Sequence, residues 1–201
     1  MIHKYILKAE KDYDSKFIKD YLKTLPDFLI NKINSYTSVE KKLQRIMGLQ
    51  LIEKMILENN LSQIDNNLSN LKFSYLGKPY FNDTLNFNLS YSVNYAVLAF
   101  SEKRKIGIDI EHIKLINLRE FKDYCTENEY NKLDISQNLF SDFCKLWTRK
   151  EALSKAIGKG VFLDFNSFDV ENDIILCENS KWELSSELFE NEFWITTAVE
   201  M

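Results

Sequence analysis

Hydrophobic and polar positions alternate along this chain with two different periods. Residues 2 to 9 carry their apolar side chains as a short strand does. From about Tyr13 to Asn59 the period becomes helical, with Pro26 and Asp27 dividing the stretch into two pieces. In the second piece Leu43, Met47, Leu51, Ile52 and Met55 recur at helical spacing, while Lys41, Lys42 and Arg45 give its early turns a basic surface. A turn at Gly77-Lys78-Pro79 precedes aromatic and β-branched runs at 85 to 91, 95 to 101 and 105 to 113, which predict a small sheet. Residues 117 to 134 predict two short helices, and 138 to 157 a longer one that stops at Gly158. Alternating runs near 167 to 177, 182 to 188 and 193 to 199 predict a second set of strands.

Helices followed by strands, twice over, give an α+β class with two lobes joined near residues 102 to 105: an N-terminal lobe of 1–103 and a C-terminal lobe of 104–201. No Pro/Gly/Ser linker separates them, so they are expected to pack directly, with a cleft between them as the expected ligand site.

Charge and cysteine usage narrow the classes. A formal net charge of -4 and a pI near 5.4 argue against a nucleic-acid binder, so any phosphate must be met by local charge. The three cysteines are odd in number and far apart, which suits reduced core residues in the cytoplasm. Lys4, Lys8 and Glu10 interrupt any secretory apolar stretch. The longest uncharged run, Thr84 to Ser101, is studded with Asn and Ser and reads as two strands, not as a membrane span.

Three constellations carry candidate chemistry. In Ile106-Gly107-Ile108-Asp109-Ile110-Glu111 the isoleucines share one face of a strand, and Gly107, Asp109 and Glu111 share the other. The two carboxylates then stand about 6 to 7 Å apart and could converge on one cation. Magnesium is usually held by one or two carboxylates, waters and the phosphates of a substrate. Gly107 is expected to let a bulky ligand approach the backbone, and a plain amphipathic strand with one wet face stays open.

The second constellation is Trp147 to Lys155, on a helix whose apolar stripe runs Leu139, Phe143, Leu146, Leu153 and Ile157. Lys150 fills the stripe's missing position, which requires a partner or a site. Trp147, Glu151 and Lys155 follow at i, i+4 and i+8, an arrangement equally open to a helical salt bridge. Lys145, Arg149, Lys150, Lys155 and Lys159 against the single acid Glu151 give this segment a local surplus that favours phosphate binding. The third is Lys78, fixed in its Gly/Pro turn, followed by Phe87-Asn88-Leu89-Ser90-Tyr91-Ser92.

Taken in chain order, the GKP, FNLSYS, GIDIE and WTRKEALSK segments resemble the surfactin-synthetase-type family of 4'-phosphopantetheinyl transferases. The likeness extends upstream through Leu25-Pro26 and downstream through Gly158-Lys159-Gly160. It implies a monomeric pseudo-dimer of two similar α/β lobes, with coenzyme A and Mg2+ in the cleft. It also implies an activity: transfer of the phosphopantetheine arm to a serine of an acyl or peptidyl carrier protein, with release of adenosine 3',5'-bisphosphate. Residue by residue, it implies a metal held by Asp109, Glu111 and Glu151, with Glu151 also the base. Lys78, Pro79, Ser90, Tyr91, Lys150, Lys155 and Arg45 are then expected to contact coenzyme A, and Lys155 to assist catalysis. Two positions depart from the pattern: Tyr91 stands where a histidine is usual, and Gln44 where an arginine is common, beside Arg45. Another magnesium-dependent phosphotransferase, or a catalytically weak coenzyme A-binding relative acting as an interaction module, are the alternatives.

Overall fold

The computed structural model describes residues 1–10, 13–61, 64, 68–81 and 85–201. Its elements run β1 (Ile2–Lys8), α1 (Ser15–Leu22), α2 (Asp27–Asn34), α3 (Val39–Glu58), β2 (Lys72–Phe73), β3 (Pro79–Tyr80), β4 (Asn86–Ser92) and β5 (Tyr95–Ser101). They continue with β6 (Ile106–His112), α4 (Glu127–Asp134), α5 (Leu139–Ile157), β7 (Ile174–Cys177), β8 (Ser180–Phe189) and β9 (Phe193–Glu200). Thr84, at the head of the uncharged run, lies outside the described residues; the rest of that run forms β4 and β5.

Local chemistry sets most boundaries. Asp14 accepts hydrogen bonds from the backbone of Lys16 and Phe17 at the start of α1, and Ser38 caps α3 in the same way. Thr126 and Glu129 form a capping box on α4, and Gly158, at φ +85°, ends α5 in the left-handed conformation. Pro26 separates α1 from α2 as expected, but the second helical piece is itself broken before Ser38, so the expected two pieces are three helices. The strand expected over 167 to 177 begins only at Ile174. The backbone of Val170 and Asn172 is engaged by side chains instead: Glu129 Oε1 accepts from Val170 N, and Arg149 donates to the carbonyls of Val170 and Asn172.

While β2 and β3 pair as a separate two-stranded ribbon, two larger antiparallel sheets result, ordered β1-β5-β4 and β6-β9-β8-β7. They stack in four layers, helix, sheet, sheet, helix. Helix α3 covers the outer face of the first sheet, packing Ile46, Met47, Ile52 and Met55 near Ala96, Leu98 and Phe100. Helix α5 covers the second sheet, where Ala152, Leu153 and Ala156 join Trp182, Leu184 and Ala198. Between the sheets Tyr95, Val97 and Ala99 meet Ile106, Ile108, Ile110, Ile195 and Val199. Every residue of β5 is therefore buried, its alternate side chains serving two different cores.

The sheets also meet edge to edge. β4 and β6 are both edge strands, and an unpaired buried edge leaves backbone donors without partners. Side chains of β4 supply the missing acceptors: Asn88 Oδ1 accepts from Ile108 N at 3.0 Å, and Ser92 Oγ from His112 N at 3.1 Å.

Gly107 has a different role from the one expected. A Cβ there would lie 2.0 Å from the carbonyl oxygen of Ala152 and 2.6 Å from Ala156 N, so what approaches this backbone is helix α5, not a ligand. The opposing atoms are main chain and cannot swing aside. Gly107→Ala is expected to destabilise the protein by about 3 kcal/mol or more, the upper range for overpacking, as read from urea unfolding. A loss below ~1 kcal/mol would mean that α5 shifts freely on the sheet.

Candidate active site

The close approach at Gly107 brings α5 over the face of β6 that carries Asp109 and Glu111, and so sets Glu151 and Lys155 beside them. Lys155 Nζ lies 2.6 Å from Asp109 Oδ1, which also accepts from Ser90 Oγ at 2.7 Å; Lys155 donates to Ser90 Oγ at 3.0 Å. Asp109 is buried, and its second oxygen, Oδ2, has no hydrogen-bond partner among the described residues.

One ammonium thus faces three carboxylates. Burial pushes the Glu111 carboxyl up to about 7, the charge of Asp109 adds to this, and Glu151 contributes a little more against the pull of Lys114 and Lys155. Glu151 is also raised, first by burial and then by Asp109, with Lys155 opposing. Among the described residues no three His, Cys, Asp or Glu side chains are already drawn together as a metal cage. The donor set nevertheless fits a hard divalent cation: an orphaned buried carboxylate oxygen, a second carboxyl reluctant to ionise without a counter-charge, and a third nearby. Magnesium requires no more protein than that.

Beside this cluster lies a cavity of about 500 Å³. Its apolar wall includes Leu29, Ile33, Leu49, Phe73 and Leu89. Its polar lining includes Lys32, Arg45, Lys78 and Lys155, and no Asp or Glu among the described residues. The lip is the β2–β3 turn, with Gly77 at φ +80° and Pro79, facing Gly158 and Gly160 at the end of α5. Lys78 Nζ donates to the Lys155 carbonyl at 3.4 Å, and burial holds its ammonium below the usual lysine range. Lys155 therefore belongs both to the carboxylate cluster and to the cavity.

Not every expected residue gathers there. Lys150 is fully buried away from the cavity, paired with Glu129 Oε2 at 2.8 Å and donating to the carbonyls of Phe165 and Phe168 at 2.6 and 2.8 Å. Its place in the apolar stripe reflects a core ion pair, and the expected phosphate contact is corrected accordingly. The basic surplus of 145 to 159 disperses in the same way. Arg149 is buried against Val170, Asn172 and Asp173, Lys145 lies over the Trp194 ring, and Lys159 pairs with Glu178. Ser90, expected at the ligand, is bound to Asp109 and Lys155. Arg45, Tyr91, Lys78 and Pro79 do line the cavity, while Gln44 points to the Val93 carbonyl. Lys32 and Tyr36 were missed; their i, i+4 spacing beside Leu29 and Ile33 was the available signal.

Comparison with known proteins shows the family. Residues 105–198 match the family model of the 4'-phosphopantetheinyl transferase superfamily (ACPS). Over 166 residues the chain is 33% identical to the 4'-phosphopantetheinyl transferase gsp of Aneurinibacillus migulanus, covering 77% of this chain and 68% of that protein. It is 33% identical over 147 residues to ffp of Bacillus subtilis, and 32% identical over 145 residues to Sfp of Bacillus subtilis strain 168, each match covering 69% of this chain and 62% of the relative. The crystal structure of Thermotoga maritima holo-[acyl-carrier-protein] synthase aligns with 48% of this chain and 62% of its own, at 14% identity and a TM-score of 0.37, a likeness too slight to argue from. The chain belongs to the 4'-phosphopantetheinyl transferase superfamily. It spans between 62% and 68% of the length of the three relatives named. Among the described residues no helix is long and apolar enough to cross a membrane.

Two outcomes follow from the charges. The Glu111 carboxyl is raised from 4.5 to about 7, so as pH rises through that window the unfolded chain gives up this proton first and the metal-free fold loses stability. Glu111→Gln escapes that loss: it is expected to melt as wild type does near pH 4.5, and at pH 8 to be more stable by about 1 to 3 kcal/mol, allowing for partial exposure. No pH-dependent gap in metal-free melting curves would refute the assignment. Lys150→Met leaves Glu129 buried and unpaired, at a cost of about 3 to 5 kcal/mol. Adding Glu129→Leu should recover most of that in urea unfolding.

Proposed function

We propose that this chain is a holo-carrier-protein synthase, moving the 4'-phosphopantetheine arm of coenzyme A onto a serine of an acyl or peptidyl carrier protein with release of adenosine 3',5'-bisphosphate. One observation carries the reading above the others: Lys155 joins a cavity lined by cations to a cluster of three under-compensated carboxylates. A pyrophosphate ester is the kind of ligand that suits both halves. Residues 1–103 and 104–201 are taken as the two lobes of a monomer that works in the cytoplasm, without nucleic acid or membrane.

Asp109, Glu111 and Glu151 would hold Mg2+, which when bound neutralises pyrophosphate charge. The chain's own side chains do the rest. Lys78 and Lys155 reach the phosphate oxygens, and Lys155 offsets the negative charge that builds as the phosphorus transfers. Glu151, its carboxyl raised toward neutrality by burial, takes the proton of the carrier serine hydroxyl. The serine oxygen bonds to the phosphorus that bears pantetheine, the bond from that phosphorus to the bridging oxygen breaks, and the electron pair leaves on the bisphosphate. The apolar wall excludes water from this exchange.

Mass spectrometry of unmodified carriers incubated with protein, coenzyme A and Mg2+ tests the reading. A carrier should gain one phosphopantetheine arm on serine, and EDTA should abolish the gain. Asp109→Ala and Glu151→Gln should each slow transfer by about 100-fold or more. Binding of coenzyme A without transfer to any carrier would favour the weak relative acting as an interaction module. Transfer to another acceptor would favour a different phosphotransferase.

A further inference from the structure

Arg45, which lines the same cavity as Lys155, projects from the second turn of α3. Its guanidinium carbon lies 4.8 Å from the centroid of the Tyr91 ring and 5.3 Å from that of Tyr36, which sits in the connection between α2 and α3. Arg45, Tyr36 and Tyr91 all line the cavity; among the described residues no acid lines it, and Arg45 Nε is buried without a hydrogen-bond partner. An arginine so placed is held by two aromatic side chains, the Tyr91 hydroxyl included, and by no carboxylate among the described residues.

That choice has a chemical consequence. The faces of a guanidinium are weakly hydrated and stack well on aromatic rings, whereas its donors lie in the plane. The rings fix the plane, the Tyr91 hydroxyl engages the guanidinium at one point, and the donors it does not use, Nε among them, stay available to an acceptor with several oxygens in the cavity. A carboxylate partner would have consumed them.

Tyr91 can take this position because of a third residue. A Cβ at Gly48, one turn beyond Arg45 on α3, would lie 2.1 Å from Tyr91 Oη and 3.0 Å from its Cζ. The phenol ring therefore lies along the helix at the one place where α3 has no side chain. Helical phase alone does not call for glycine here, since Gly48 lies mid-helix in a buried stretch where alanine is the better helix former.

We propose that Tyr36 and Tyr91 are positioning residues that hold the Arg45 guanidinium for one phosphate group of the ligand, and that Gly48 is the space in which Tyr91 does so. The proposal rests on the coenzyme A reading for the identity of that ligand. It adds a specificity element in which two tyrosine rings, one of them in the α2–α3 connection, set the orientation of the cation.

Calorimetry of coenzyme A binding to wild type, Tyr36→Leu, Tyr36→Phe, Arg45→Met and the Tyr36→Leu/Arg45→Met double variant decides it, with melting curves read first to establish folding. Tyr36→Leu should weaken binding about 3- to 10-fold, and Tyr36→Phe, which keeps the ring face, by less than about 2-fold. In the Arg45→Met background Tyr36→Leu should change nothing further, because it has no guanidinium left to orient. In turnover assays the loss should appear in KM for coenzyme A more than in kcat. Gly48→Ala should weaken binding as Tyr91→Leu does and add nothing to it. An equal loss from Tyr36→Leu with and without Arg45, or a phenylalanine variant as weak as the leucine one, would overturn the proposal. If coenzyme A does not bind wild type at all, the transferase reading falls by itself. The same cycle run with inorganic pyrophosphate then decides the clamp, which fails if Arg45→Met binds pyrophosphate as well as wild type does.

Discussion

Helix α5 sits on strand β6 at a distance that only a glycine at position 107 permits, and the geometry of the candidate site depends on that contact. Asp109 and Glu111 project from the same face of β6 as Gly107, one and two strand repeats further on. Glu151 neighbours Ala152, whose carbonyl oxygen meets Gly107, and Lys155 neighbours Ala156, whose amide does. A helix held a few tenths of an ångström further out would still cover the sheet. It would also draw the Lys155 ammonium away from the carboxylate that it now meets at 2.6 Å. The same missing methyl group serves packing and chemistry together.

The second constraint is the junction of the two sheets. Edge strands are normally left to solvent or paired, and here the edge of β6 is met instead by side chains, because Asn88 and Ser92 of β4 take the place of a ladder. Ser90, between them in the same alternation, uses its hydroxyl on Asp109. The first half of the chain thereby holds a carboxylate of the second half, and the opposite face of the same strand turns Leu89 and Tyr91 toward the cavity and α3. A strand of seven residues carries the joint on one side and part of the ligand wall on the other.

Charge along α5 is divided between core and site by position around the helix. Arg149 and Lys150 point into the C-terminal core, where carbonyls and carboxylates satisfy them fully. Ion pairs of this kind contribute little net stability against an apolar replacement but are strongly destabilising when one partner is removed. Lys155, five residues after Lys150, faces the cluster and the cavity, where three acids leave it overmatched. The dense run of basic residues is therefore one site lysine and several structural cations.

The sequence by itself determined most element types, the helix break at Pro26 and the helix stop at Gly158, and the alternation that puts Asp109 and Glu111 on one face. These are matters of local period and capping, and neighbouring residues suffice to decide them. The ordered motifs were enough to indicate the family. Tertiary structure alone decided which lysine meets the carboxylate cluster. Lys150 and Lys155 are both compatible with a site in one dimension, and only the position of Glu129, some twenty residues upstream on another helix, commits the first to the core. It also decided what Gly107 and Gly48 are for, since a glycine in a strand or a helix reports that something comes close but not what. In the one case it is a helix backbone and in the other a tyrosine ring, brought there by contacts between segments far apart in the chain.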